Sequence, residues 1–312
     1  MKKSVIFPGQ GAQKVGMGKD IYDNFAVAKE VFEEVDDALK IKLSDIIFVD
    51  KDKTLNHTTN TQPAIMTVGV AIFRVLEKEL GLKINHFDYC AGHSLGEYTA
   101  LVCAESLNLA NAATMLRARG VAMQNAVKIG EGGMAAVLGA EINEINQIID
   151  KNNFSSVEIS NDNCPGQVVI SGKKNEIDIC LIQIKEKLSK KSINLPVSAP
   201  FHCKLMKPAA EQMKELILES NFKQPLIPII SNVTAREEIN GENIKNLLIE
   251  QIYSRVRWRE IIEFMIISKV NEVHELGPGK SLSGMIKRFN TNIVLQNYSS
   301  IEEINNFNKQ TK

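Results

Sequence analysis

The pentapeptide Gly92-His93-Ser94-Leu95-Gly96 is the sharpest chemical feature of this chain. A serine hydroxyl is a weak nucleophile unless a turn exposes it and a base stands beside it. A G-x-S-x-G turn between a strand and a helix supplies the exposure, because its glycines let the two elements approach closely. The following helix leaves backbone N–H groups unpaired at its start, so the Leu95 amide can face developing negative charge. Without a base, the pentapeptide is only a glycine-rich turn. Five histidines compete to be that base. His93 adjoins Ser94, so its ring should project away and support the elbow. His57 and His86 fall in polar surroundings and read as solvated, and His274 reads as a structural histidine in a strand. His202 lies in the loop Val197-Ser198-Ala199-Pro200-Phe201-His202, and loops at such crossings favour catalytic groups, which makes it a candidate without settling the choice among the five. Arg117 and Arg119 share a predicted helix two positions apart, so one can enter a cleft while the other meets solvent. Gly277-Pro278-Gly279-Lys280-Ser281 ends like a phosphate-binding loop, but that loop needs a glycine where His274 stands. A tight strand-to-helix turn is expected there instead.

The elements that must carry these residues alternate along the chain. Ser4–Phe7 and Phe87–Ala91 read as buried strands, the first ended by Pro8-Gly9-Gln10-Gly11. Phe25–Leu39, Gln62–Leu80 and Leu109–Val127 carry apolar residues at helical spacing, with Gly81 placed to stop the second. Such alternation predicts a mostly parallel sheet covered by helices. From Gly130-Glu131-Gly132-Gly133 the order changes to strand Met134–Leu138, helix Glu141–Lys151, strands Ser156–Ser160 and Gln167–Ser171, helix Lys174–Leu188 and strand Ser192–Val197. That βαββαβ order is the one of a ferredoxin-like unit. The fold class expected is α/β: an α/β-hydrolase-like parallel sheet, residues 1–127 and 200–312, with an inserted ferredoxin-like small domain, residues 128–199. Beyond it come helices Lys207–Ser220, Glu242–Tyr253 and Trp258–Ile267, strands Ile227–Ser231 and Val270–Leu276, a last strand near Ile293, and a polar tail expected to fray after Tyr298.

Composition narrows the functional classes. The 312 residues hold 37 basic and 37 acidic side chains, 44% hydrophobic and 24% charged overall. A neutral balance argues against a general nucleic-acid binder. No stretch nears the roughly 18 apolar residues of a membrane-spanning helix. The basic start Met1-Lys2-Lys3 leads into an apolar run that stops at Pro8, too short for a signal peptide. Five scattered cysteines without a CxxC pair favour reduced thiols in the cytoplasm over disulfides or a zinc site.

Taken together, the motifs resemble the malonyl-CoA:acyl carrier protein transacylases of fatty-acid synthesis, over residues 4 to about 290. The resemblance rests on Phe7-Pro8-Gly9-Gln10-Gly11-Ala12-Gln13, Gly92-His93-Ser94-Leu95-Gly96-Glu97-Tyr98, Arg119, Pro165-Gly166-Gln167-Val168-Val169-Ile170, Ala199-Pro200-Phe201-His202-Cys203, Gln251-Ile252-Tyr253 with Val256-Arg257-Trp258, and Gly277-Pro278-Gly279-Lys280, in family order. It implies that Ser94 carries the malonyl group as an ester, with His202 as the base. It further implies that a backbone carbonyl at Gln251 orients the histidine in place of a carboxylate, and that the Leu95 and Gln10 amides form the oxyanion hole. Arg119 would hold the free malonyl carboxylate, since a planar guanidinium offers two parallel hydrogen bonds. Phe201 departs from the small residue common in stand-alone bacterial enzymes and matches the Phe-His pair of malonyl-selective polyketide acyltransferases, where a ring should crowd an α-methyl branch. The implied partners are malonyl-CoA and acyl carrier protein, with no metal or redox cofactor, no nucleic acid and no membrane. Both partners are anionic, so Lys185, Lys187, Lys190 and Lys191, or Arg255 with Arg257 and Arg259, are candidate docking patches. Competing expectations are loading of a polyketide carrier, a serine thioesterase or esterase using the same elbow, and a non-catalytic acyl-binding subunit.

Overall fold

From β1 (Lys2–Phe7) the chain runs through α1 (Lys19–Asn24), α2 (Ala26–Leu39), α3 (Leu43–Phe48) and α4 (Thr58–Leu80) to β2 (Tyr89–Gly92), α5 (Leu95–Cys103) and α6 (Leu109–Asn125). This computed structural model describes residues 1–197 and 199–310, so Ser198 of the loop leading to His202, and residues 311 and 312, lie outside the described residues. Val5, Ile6 and Phe7 are wholly buried, as a strand covered on both faces requires. Helix α4 begins at Thr58, ahead of the Gln62 that apolar spacing marks. Its first turn is polar but buried, because Thr61 Oγ1 donates to the Leu55 carbonyl at 2.6 Å and Asn60 Nδ2 to the Thr54 carbonyl at 3.1 Å. Gly81 ends the helix in the left-handed region at φ 66°, where glycine carries no steric penalty.

The middle of the chain forms β3 (Gly132–Leu138), α7 (Ile142–Lys151), β4 (Glu158–Cys164), β5 (Gln167–Lys173), α8 (Lys174–Leu188) and β6 (Lys191–Asn194). These strands make an antiparallel sheet in the order β4-β5-β3-β6. Alternation along β3 divides its faces. Ala135 and Val137 pack with Ile145 and Ile148 of α7 and Ile177 and Ile184 of α8, while Met134 and Ala136 join the main core. β4 runs past the expected end at Ser160 to Cys164, through Asn161, Asp162 and Asn163. No apolar pattern marks those three residues, because polar bonds to the rest of the molecule are what bury them. The Asp162 amide donates to the Val256 carbonyl at 2.9 Å and the Val256 amide to the Ser160 carbonyl at 2.8 Å.

The remainder comprises α9 (Lys207–Glu219), β7 (Ile229–Ile230), β8 (Glu237–Glu238), α10 (Gly241–Gln251), α11 (Trp258–Ile267), β9 (Val270–Leu276), α12 (Ser281–Ile286), β10 (Val294–Tyr298) and α13 (Ile301–Gln310). The main sheet has the order β10-β9-β1-β2-β7-β8, parallel except for β8 at its edge. The segment after Tyr298 is helical over α13, contrary to the frayed tail expected from its polarity. Ile304 is buried, the Ile301 amide donates to Asp20 at 2.8 Å, and Glu303 pairs with Lys280 at 2.6 Å. Gly277–Lys280 is the tight turn between β9 and α12. No helix among the described residues is long and apolar enough to cross a membrane. Register places Phe7 opposite Gly92, so the segments leaving β1 and β2 open side by side at the carboxyl edge of the sheet. Ligands of open α/β sheets bind at that edge.

Candidate active site

β2 ends at Gly92 and α5 starts at Leu95, leaving Ser94 in the sharp turn at φ 53° and ψ −109°. A non-glycine residue at positive φ costs on the order of 1–3 kcal/mol and persists only when its surroundings hold it. A Cβ on Gly92 would lie 1.9 Å from the Gly96 carbonyl, and one on Gly96 would lie 2.3 Å from the Phe7 oxygen. The two glycines therefore let β1, β2 and α5 meet. Asn232, just after β7, clamps the turn: its Oδ1 accepts from the Ser94 amide at 2.7 Å and its Nδ2 donates to the Gly92 carbonyl at 2.7 Å.

His202 approaches from the loop after β6, itself at φ 58° and buried. Its Nδ1 lies 2.8 Å from the Gln251 backbone carbonyl and its Nε2 lies 2.7 Å from Ser94 Oγ. A carbonyl only accepts, so Nδ1 carries the proton and Nε2 is free to accept from the serine. Burial, reinforced by the nearby positive charge of Arg119, pushes the imidazole pKa down to about 3. The ring is thus neutral and poised as an acceptor.

Arg119, on α6, is 1% exposed. Its Nη1 donates to Gln62 Oε1 at 2.7 Å, and its Nη2 donates to Gln251 Oε1 at 2.9 Å and to Ser94 Oγ at 3.1 Å. Its Nε is buried without a hydrogen-bond partner, and the Tyr98 ring lies 5.8 Å away. Among the described residues no carboxylate comes within ion-pair distance of this guanidinium, so its charge is held by neutral oxygens alone. Arg117 points elsewhere and donates to Asn60 Oδ1 at 3.0 Å, as spacing on a helix requires.

A cavity of about 490 Å³ joins these groups, lined by Gln10, Ser94, Leu95, Arg119, Phe201 and His202. Met134, Ala136 and Val169 of the antiparallel sheet form its opposite wall, with Leu195 and Val197 beside them. His93 supports the elbow as its place in the motif suggests, with Nε2 2.9 Å from Asn163 Oδ1 and its ring 5.5 Å from Trp258. His57 and His86 are exposed, and buried His274 lies 3.0 Å from Glu272. Gln62, Glu97, Asn163 and Asn232 complete the surroundings. Glu97 falls within the quoted elbow motif but no role was given to it, and sequence reasoning singled out none of the other three, because a buried amide or carboxylate is identified by what it bonds to after folding. The only early signal was polarity inside otherwise apolar runs. Arg255 and Arg257 both pair with Glu260, and Arg259 pairs with Glu141 at 2.8 Å and Asp162 at 2.9 Å. That arginine group is therefore neutralised locally, contrary to its expectation as a free basic patch. All five cysteines are unpaired and buried. Among the described residues no group of three or more His, Cys, Asp or Glu side chains could hold a metal ion.

Comparison with known proteins places this arrangement. The acyl transferase domain family matches residues 5–274. The malonyl CoA-acyl carrier protein transacylase of Bacillus subtilis is 44% identical over 93% of this chain and 90% of its own length. An acyl-carrier-protein-S-malonyltransferase structure from Bartonella henselae superposes with a TM-score of 0.95 at 43% identity, covering 99% of each chain. A malonyl-transacylase solved in complex with its type II PKS acyl-carrier protein has a TM-score of 0.94 at 34% identity, covering 99% of this chain and 100% of that one. The chain belongs to the acyl transferase family and, within it, to the malonyl-CoA–acyl carrier protein transacylases.

Proposed function

We propose that this enzyme moves a malonyl group from malonyl-CoA to the phosphopantetheine thiol of acyl carrier protein through an ester on Ser94. The observation that carries this reading is the line from the Gln251 carbonyl through His202 to Ser94 Oγ, beside a buried arginine that has no carboxylate partner among the described residues. His202 Nε2 takes the hydroxyl proton as Ser94 Oγ attacks the thioester carbon. The Leu95 and Gln10 amides receive the oxyanion. The carbon–sulfur bond then breaks, and the coenzyme A sulfur leaves with the proton that His202 holds. In the second half His202 takes the proton of the carrier thiol, the sulfur attacks the seryl ester, and Ser94 recovers its proton. Thioester is exchanged for thioester, so the transfer is nearly isoenergetic and calls for no metal or redox cofactor.

The malonyl carboxylate would take Arg119, whose unbonded Nε and whose Nη2 on Ser94 together suit a two-oxygen acceptor. Phe201 would crowd an α-methyl branch. Residues 128–199 act in this reading as a small domain whose Met134–Ala136 face closes the cleft against water. With the arginines paired internally, the lysines at 185, 187, 190 and 191 are the docking face for anionic partners. Five unpaired thiols suit the reducing cytoplasm. The pathway served is fatty-acid biosynthesis; the Phe201-His202 pair is the feature that favours a polyketide carrier instead.

The test is a quenched reaction with malonyl-CoA followed by peptide mass mapping. A malonyl adduct on the Ser94 peptide, absent in Ser94→Ala, is expected. An adduct elsewhere, or one that persists in the variant, would refute the assignment.

A further inference from the structure

Glu97 does not line the cavity, yet it is 3% exposed and carries an acid into the core. Burying a carboxylate is expensive unless polar partners compensate it. Burial lifts its pKa to about 7, against the lowering effect of its bonds to Gln251 and Asn232 and of the Arg119 charge. Its Oε2 accepts from the Gln251 side-chain Nε2 at 2.8 Å and from the Asn232 amide at 3.1 Å. The same Gln251 Nε2 donates to the Ser94 carbonyl at 3.1 Å. Both amide hydrogens of Gln251 are thereby committed, which turns Oε1 toward Arg119 Nη2 at 2.9 Å. The reversed amide would set two donors, an NH2 and a guanidinium, face to face. Glu97 Oε2 accepts from both Gln251 Nε2 and the Asn232 amide, so it dictates which way the Gln251 amide lies.

We propose that Glu97 is a positioning residue: acting through the side chain of Gln251, it fixes Arg119 where the far carboxylate of the acyl group meets it, and so sets selectivity for acyl groups that end in a carboxylate. This rests on the roles given above to Ser94 and Arg119. The buried acid is retained for what it orients, since an apolar residue of similar volume often replaces a buried charge at little cost in stability.

The test measures acylation of the full chain by malonyl-CoA and by acetyl-CoA, expressed as the ratio of the two kcat/KM values. That ratio is independent of the fraction of protein correctly folded. Glu97→Met keeps length and helix propensity but removes the acceptor. It is expected to lower the malonyl-to-acetyl ratio about tenfold, as loss of one oriented charged hydrogen bond does, mainly through KM for malonyl-CoA. Glu97→Gln retains an acceptor oxygen and should restore most of the ratio. Gln251→Met should lower it by a similar factor, and adding Glu97→Met to that variant should change it by less than about twofold, because the two residues act in series. An unchanged ratio in Glu97→Met, with both substrates slowed alike, would overturn the proposal. So would losses that multiply in the double variant. If Glu97→Met does not fold, an unchanged ratio in Gln251→Met overturns it equally. A wild-type chain without a malonyl adduct on Ser94 would instead refute the proposed function, so the two failures are distinguishable.

Discussion

Arg119 is the residue whose surroundings say most about substrate. A guanidinium wholly out of water, bonded to Gln62, Gln251 and Ser94 and, among the described residues, to no carboxylate, suits the acyl carboxylate proposed for it. Truncating one partner of a buried charge pair costs about 2–5 kcal/mol. Arg119→Ala should therefore slow malonyl loading roughly thirty- to several-thousand-fold while acetyl loading falls much less. Paired loading rates with malonyl-CoA and acetyl-CoA check this, and an unchanged ratio would mean that another group grips the carboxylate. Ser94 stands out by its motif, whereas helix spacing says only that Arg117 and Arg119 face apart, and the choice of Arg119 came from the resemblance alone. His202 needed more: its loop made it a candidate, and only the fold brings Nε2 to the serine and Nδ1 to the Gln251 carbonyl. The roles of Gln62, Glu97 and Asn232 were not legible, although Glu97 stands within the elbow motif. Their chemistry is borrowed from partners 57, 154 and 138 positions away.

Among the elements, those that face apolar neighbours declared themselves by period, and those held by polar bonds did not. β1, α2, α6 and β9 follow their hydrophobic patterns. β4 was cut short at Ser160 because Asn161, Asp162 and Asn163 break the alternation, yet these residues join the antiparallel sheet to Val256, Arg259 and His93. The start of α4 and the whole of α13 were missed for the same reason. The elbow shows the opposite case, an element junction dictated by two glycines. Gly96→Ala would place a methyl group 2.3 Å from the Phe7 carbonyl, forcing α5 away from β1. A loss of about 1–3 kcal/mol in unfolding free energy is expected from such overpacking. Denaturant melts check it, with Gly284→Ala as control: that helical glycine has nothing within 4 Å of its would-be Cβ, and the change should be neutral or slightly stabilising.

At the scale of the whole molecule, the two sheets share the main apolar core, each has a further cluster of its own, and the cavity of the candidate site lies between them. The parallel sheet brings Ser94 to its carboxyl edge, where α6 and α10 set Arg119 and Gln251 beside it, and the antiparallel sheet turns Met134, Ala136 and Val169 toward them. The α/β class and the βαββαβ order were readable from periodicity alone. Their mutual placement was not, since it depends on the buried polar seam along β4. In the proposed reaction this apolar wall lies over the seryl ester, where water must be denied and a thiol admitted.

The most direct test is a chase of the isolated malonyl-enzyme. Protein loaded with labelled malonyl-CoA and freed of excess substrate should keep its label in buffer and yield it rapidly to the thiol of added acyl carrier protein. Release of free malonate at one and the same rate, with or without the carrier, would contradict the account.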